Sequence, residues 1–262
     1  MSCNSTLVHD SKTARVKVNN GCVMTRFWQS IIFLTIFPTP SVKWESGDLG
    51  RAGGYFPLVG LLIGLILLAA WWGLGLVLPE MVTAVLVVAL WAVLTGGLHL
   101  DGLADCGDGL LAAVSPERRL EILKDSRIGA FGAIALVLHL LLKVVVVASL
   151  AHPVGLLLAP TVGRWLILPT AKRPLARPSG MGSEFAQTLS AQSILLGGIV
   201  PIVLAAVIGW AGVIAFCTAT LLAGLLWRFC DNRLGGITGD VFGLVIESTE
   251  TVTLLVLLAM VS

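Results

Sequence analysis

Residues 56–78 read FPLVGLLIGLILLAAWWGLGLVL, an uncharged stretch between Arg51 and Glu80. A helix needs about 20 apolar residues to cross a hydrocarbon core about 30 Å thick, and this stretch supplies them. Outward from it, similar runs fall at Val82 to Leu98, Phe131 to Leu150, Val154 to Leu168, Ile194 to Ile208, Val213 to Phe229 and Val241 to Val261. Composition agrees, since 56% of the 262 residues are hydrophobic and 12% charged, against roughly 25% charged in an ordinary soluble domain. A soluble monomer is excluded, and the sequence predicts an all-α polytopic membrane protein with about seven transmembrane helices. The runs at Val154–Leu168 and Ile194–Ile208 are short for a span, so each tilts less, begins earlier, or belongs to a broken pair.

The basic residues test this plan, because Lys and Arg concentrate in cytoplasmic loops. Lys12, Arg15, Lys17, Arg26, Lys43 and Arg51 precede the first span; Arg118, Arg119, Lys124 and Arg127 lie between the second and third. Lys172, Arg173 and Arg177 follow the fourth, and Arg228 and Arg233 flank the turn after the sixth. The intervening turns near 78–81, 151–153 and 209–212 carry none, while Lys143 and Arg164 fall inside spans. The N-terminus and the long polar loops are therefore expected on the cytoplasmic side of the membrane.

Phe27 to Phe37 is too short to cross and ends in Pro38-Thr39-Pro40, which predicts an interfacial or re-entrant helix. Residues 1–23 form a polar extension without the apolar core of a secretory signal, disordered or untranslated, with Met24 as an alternative start. Residues 24–262 then make one membrane-embedded catalytic domain. The five cysteines are odd in number and lack a C-x-x-C pair, so they are read as free thiols. A net charge of +2 leaves no nucleic-acid footprint.

Most of the remaining charge sits in Gly-punctuated motifs. The richest is Gly96-Gly97-Leu98-His99-Leu100-Asp101-Gly102-Leu103-Ala104-Asp105-Cys106-Gly107-Asp108-Gly109. Asp101, Asp105 and Asp108 stand at i, i+4 and i+7, one stripe of a helix. Such a stripe repels itself unless a cation joins it, and Mg²⁺ is held through one or two carboxylates plus substrate phosphates. His99 is within reach to act as general base or to orient a carboxylate. Lys124-Asp125-Ser126-Arg127-Ile128-Gly129 opens the third span and suits an anion, as does the basic, Pro- and Gly-rich loop carrying Arg173 and Arg177. Arg164, a turn inside the fourth span, either snorkels to the surface or faces the site. Asp240, Glu247 and Glu250 share one face of the last helix, and acids inside a span are by default functional. They are candidates for a second metal, for a sugar hydroxyl, or for pairing with Arg164 and Lys143.

Taken together, the Gly-Gly-Leu-His-x-Asp-Gly-x-x-Asp-x-x-Asp-Gly string, the Asp125-Ser-Arg-Ile-Gly segment, the Arg173-Pro/Arg177-Pro loop and the Gly-x-Thr-Gly-Asp ending resemble the cobalamin synthase family, also called adenosylcobinamide-GDP ribazoletransferase. The resemblance runs from about Met24 to the C-terminus. It implies an inner-membrane enzyme late in vitamin B12 biosynthesis. The 3′-hydroxyl of α-ribazole or its 5′-phosphate would attack the cobinamide-side phosphorus of adenosylcobinamide-GDP, releasing GMP. Asp101, Asp105 and Asp108 would then hold Mg²⁺, and with His99 make up the catalytic set. Lys124, Asp125, Arg127, Arg164, Arg173, Arg177, Asp240, Glu247 and Glu250 are the substrate-binding candidates. The expected partners are the two substrates and the lipid bilayer; a homo-oligomer stays open.

Two other classes compete. The acid stripe is loosely similar to that of CDP-alcohol phosphotransferases, although the Ala-Arg and longer acidic spacing of that family are missing. A cation-coupled transporter would also carry intramembrane acids, but here they cluster near one face without an inverted repeat.

Overall fold

The protein is described from a computed structural model over residues 20–177 and 181–261. Residues 1–19, most of the polar extension, lie outside the described residues, as do Pro178, Ser179 and Gly180 of the third motif. Among the described residues the architecture is all-helical: α1 (Asn20–Leu34), α2 (Asp48–Ala52), α3 (Phe56–Gly75), α4 (Glu80–Leu94), α5 (Leu98–Leu111), α6 (Pro116–Ile122), α7 (Ala130–Ala148), α8 (Gly155–Ala171), α9 (Met181–Thr188), α10 (Ala191–Ile208), α11 (Trp210–Leu234) and α12 (Gly239–Val261).

All seven apolar runs are helices: α3, α4, α7, α8, α10, α11 and α12. Among the described residues, five helical segments are long and apolar enough to cross a membrane, with a sixth if α4 and α5 count as one bent span. The seventh, α8, is 17 residues long and almost wholly buried. Enclosed by protein, it does not face the full width of lipid. The other short run, α10, begins at Ala191, earlier than its apolar core. Side chains such as Leu65, Leu138, Leu196 and Leu221 stay exposed on the outside of the bundle, as a hydrocarbon solvent requires.

Three features differ from the sequence expectation. The second run does not continue through Leu98: the chain turns by 91° between α4 and α5. Gly96 and Gly97 take φ values of 61° and 72°, a left-handed conformation that glycine adopts without strain. The sixth run extends past Phe229 to Leu234, so Arg228 and Arg233 lie in the last turns of α11 and not in a turn beyond it. At the N-terminal side, α1 begins at Asn20, so the helix crosses the boundary drawn at residue 23.

Close packing places α8 and α12 at the centre, with α3 on α8 and α5 on α12. Small residues permit this. A Cβ at Gly64 of α3 would lie 2.6 Å from the Leu156 carbonyl of α8, and one at Gly243 of α12 would lie 2.6 Å from the His99 carbonyl of α5. Backbones brought this close gain dispersion contacts that lipid cannot offer, the driving force for helix association in a bilayer.

Candidate active site

The polar connections preceding α3 and between α4 and α7, α8 and α10, and α11 and α12 all lie at one end of the bundle, because the spans alternate in direction. At this end α5 buries His99, Gly102, Leu103, Ala104, Cys106 and Leu110, leaving Asp101 exposed and Asp105 and Asp108 half-buried. The i, i+4, i+7 stripe is therefore the uncovered face of a helix otherwise embedded in protein.

The three acids do not share one environment. The Asp108 carboxylate accepts backbone N–H groups from Gly129 at 2.7 Å and Gly132 at 2.9 Å, across the first turn of α7. A carboxylate there satisfies orphan donors and complements the helix dipole. Asp105 instead feels Asp101 and Asp240 as well as Asp108, with Arg177 as the nearby opposing charge. Asp240, at the start of α12, accepts a hydrogen bond from Thr238 Oγ1 at 3.1 Å and is also under the influence of Arg177 and Asp101.

The third and fourth motifs are brought to these acids by a short backbone pairing. Ile237 N–H donates to the Pro174 carbonyl at 2.8 Å, and Ala176 N–H donates to the Ile237 carbonyl at 3.0 Å. Gly236, at φ 154°, is required here, since a Cβ would sit 2.7 Å from Pro174 O. Arg177 then reaches α6, donating to the Leu120 carbonyl at 2.6 Å. Arg173 pairs with Asp231 at 2.9 Å and stands over the Trp227 ring. On the other rim Arg127 is exposed and grips Asp125 at 2.7 Å. Hydrogen bonds from Arg127 hold the Asp125 carboxyl down at about 2. Lys124 is exposed beside them.

Glu247 and Glu250 are separated from this surface. They lie about two and three turns beyond Asp240, about 10 and 15 Å deeper along α12. Both are buried. Glu247 Oε2 meets His139 Nε2 and Lys143 Nζ, each at 2.8 Å, and Lys143 also donates to Glu250 Oε2 at 2.6 Å. Arg164, wholly buried, pairs with Glu250 and reaches His99 Nδ1 at 3.4 Å. Of the three roles open to Glu247 and Glu250, the structure displays pairing with Lys143 and Arg164. The sequence reading missed His139, whose one available signal was its position four residues before Lys143 on the same face of α7.

As a cation site, the surface acids offer oxygen donors only. Among the described residues no three His, Cys, Asp or Glu side chains are gathered tightly enough to hold a metal ion by themselves. That donor set fits a hard ion bound by one or two carboxylates and completed by phosphate oxygens, and does not fit a cage made by protein alone.

Residues 26–258 match the family profile of cobalamin-5-phosphate synthase. The chain belongs to the cobalamin-5-phosphate synthase family. Among its relatives, the adenosylcobinamide-GDP ribazoletransferase of Desulfitobacterium hafniense strain Y51 is 41% identical over 88% of this chain and 96% of its own. Proteins of the same name from Brevibacillus brevis strain 47 and Roseiflexus sp. strain RS-1 are 40% and 39% identical, covering 89% and 86% of this chain and 98% and 86% of their own. No solved structure matches. Within a cobalamin-5-phosphate synthase the convergence of four motifs on one bundle end has a chemical reason, and the CDP-alcohol phosphotransferase and transporter readings fall away.

Proposed function

We propose that this protein joins α-ribazole or its 5′-phosphate to adenosylcobinamide-GDP at the polar end of the bundle, giving adenosylcobalamin or its 5′-phosphate. The observation that carries the reading is the crowd of Asp101, Asp105 and Asp240 facing Arg177, set at the surface of a membrane protein of this family. Carboxylates left repelling one another are a ready place for a cation-bridged diphosphate.

The bond that forms joins the ribose 3′-oxygen to the cobinamide-side phosphorus, and the bond that breaks links that phosphorus to the oxygen of departing GMP. Such a transfer depends on positioning and on neutralising charge. Arg177 and Arg173 would meet phosphate oxygens on one rim, turning from the Leu120 carbonyl and Asp231, and Lys124 and Arg127 would meet them on the other. Arg127 releases Asp125 at little cost, because an exposed ion pair contributes only about 0–1 kcal/mol. Asp101 and Asp105 would hold Mg²⁺, with Asp240 opposite them. When bound, that ion lowers the charge density of the diphosphate. A carboxylate of this group takes the proton of the attacking hydroxyl, and Asp108 keeps α5 seated on α7. The segregation of Lys and Arg to this end supports a cytoplasmic active face in a bacterial inner membrane.

The test uses proteoliposomes of the full chain with adenosylcobinamide-GDP and α-ribazole 5′-phosphate, with and without Mg²⁺, following GMP and corrinoid product mass. Mg²⁺-dependent formation of both in equal amounts is expected. Well-folded protein that yields neither would overturn the assignment.

A further inference from the structure

The buried ion cluster performs no part of the transfer described above. It nevertheless joins five helices. Lys143 of α7 lies with its Nζ 4.0 Å from the centroid of the Trp91 ring of α4 and pairs with Glu247 and Glu250 of α12. Arg164 of α8 carries the chain of contacts from Glu250 to His99 in the first turn of α5. His139 closes the other end on Glu247. Burial of so many charges is a poor way to stabilise a bundle, because well-packed apolar side chains usually do as well or better. A role in geometry is the better account.

The place where the cluster ends supports that account. The joint before α5 is Gly96-Gly97, both at positive φ, where the chain turns by 91° into the helix that carries the acids. Asp108 pins the far end of α5 to α7. At the near end the Arg164 guanidinium holds the His99 ring, two residues before Asp101 and six before Asp105. Arginine is always a donor, so His99 Nδ1 is the acceptor and the ring is the neutral tautomer with its proton on Nε2. In that state neither nitrogen is free to take the proton of an attacking hydroxyl.

We propose that Arg164, supported by Glu250, Lys143 and Glu247, is a positioning residue that acts through His99 to set the acids of α5 at the reacting diphosphate. The inference rests on the transferase reading. Substrate does not touch Arg164; the guanidinium works through the imidazole and the helix attached to it.

Wild type, Arg164→Lys, His99→Ala and His99→Asn are compared in proteoliposomes, with kcat and both KM values from GMP release and folding from thermal unfolding. Lysine keeps the charge of Arg164 but loses the fork that spans Glu250 and His99. Asparagine keeps an acceptor for Arg164 but supplies no base. The expected result is a kcat loss on the order of 10²-fold in Arg164→Lys and His99→Ala, with both KM values within about twofold, since misplaced groups cost turnover before affinity. His99→Asn is expected to retain kcat within about fivefold, because its carbonyl oxygen accepts where Nδ1 did. If Arg164→Lys does not assemble, the two His99 variants carry the test. Loss in folded His99→Asn equal to that in His99→Ala overturns the proposal, as does a raised KM with kcat held, or no effect of Arg164→Lys. Absence of GMP release from the wild type would instead remove the transferase reading itself.

Discussion

Two groups of charges lie at either end of one helical segment of this molecule, and they are treated in opposite ways. Deep in the bundle, Lys143 and Arg164 are matched against Glu247 and Glu250 through short contacts and almost no exposure. At the polar end, Asp101, Asp105 and Asp240 bear on one another with Arg177 as the nearby counter-charge. The paired group balances its charges without a ligand, and its work is to hold helices. The crowded group has like charges left over, and on the proposed reading a cation and the diphosphate of the substrate would balance them.

The sharpest way to break this contrast is to withdraw the cation. Chelation is expected to stop GMP release altogether, while the unfolding midpoint of the protein moves little. A midpoint that collapses with chelation would mean that the ion serves the fold. Lys143→Met should do the reverse to the interior. It strands two buried carboxylates against Arg164 and His139, and removing one partner from a buried pair costs about 3–5 kcal/mol. The double variant Lys143→Met, Glu247→Gln should recover most of that loss in thermal unfolding, because it removes a positive and a negative charge together.

A smaller effect is expected at the α3–α8 crossing. Gly64→Val places new atoms within 2.6 Å of the Leu156 carbonyl, so the helices must part, at about 1–3 kcal/mol of stability. Turnover should fall only as far as folded protein is lost, which titration of activity against the folded fraction would reveal. The smallest effect belongs to the rim. Arg127→Ala removes an exposed pair with Asp125 and should leave unfolding unchanged within about 1 kcal/mol. Its signature is a raised KM for adenosylcobinamide-GDP. Unchanged kinetics would remove Arg127 from the phosphate site.

Much of this was legible in the sequence for physical reasons that also mark where legibility ends. The spans were visible because lipid demands long apolar runs, and the acid stripe because helical period puts residues 101, 105 and 108 on one face. The break before α5 was hidden inside an apolar run. Two glycines there permit a bend without announcing it, so the apolar run continues to Leu98 although the helix ends at Leu94. Local spacing could not distinguish Asp108 from its neighbours, since the Gly129 and Gly132 amides that occupy it come 21 and 24 residues later. His139 is marked only by its spacing of four from Lys143. A single histidine on an apolar helix acquires meaning only when Glu247, 108 residues away, is folded against it. Conversely, Lys143 stood out from the start, because an isolated cation inside a span requires a partner.

The most direct test of the contrast is Asp105→Asn, with GMP release and thermal unfolding measured on the same proteoliposome sample. The substitution removes a repelling charge from the crowded group and leaves the buried cluster untouched. Turnover should fall about 10²- to 10³-fold, as when a group that organises transition-state charge is lost, while the unfolding midpoint holds or rises. Turnover retained at the wild-type level, or a midpoint that falls in step with activity, would contradict the account.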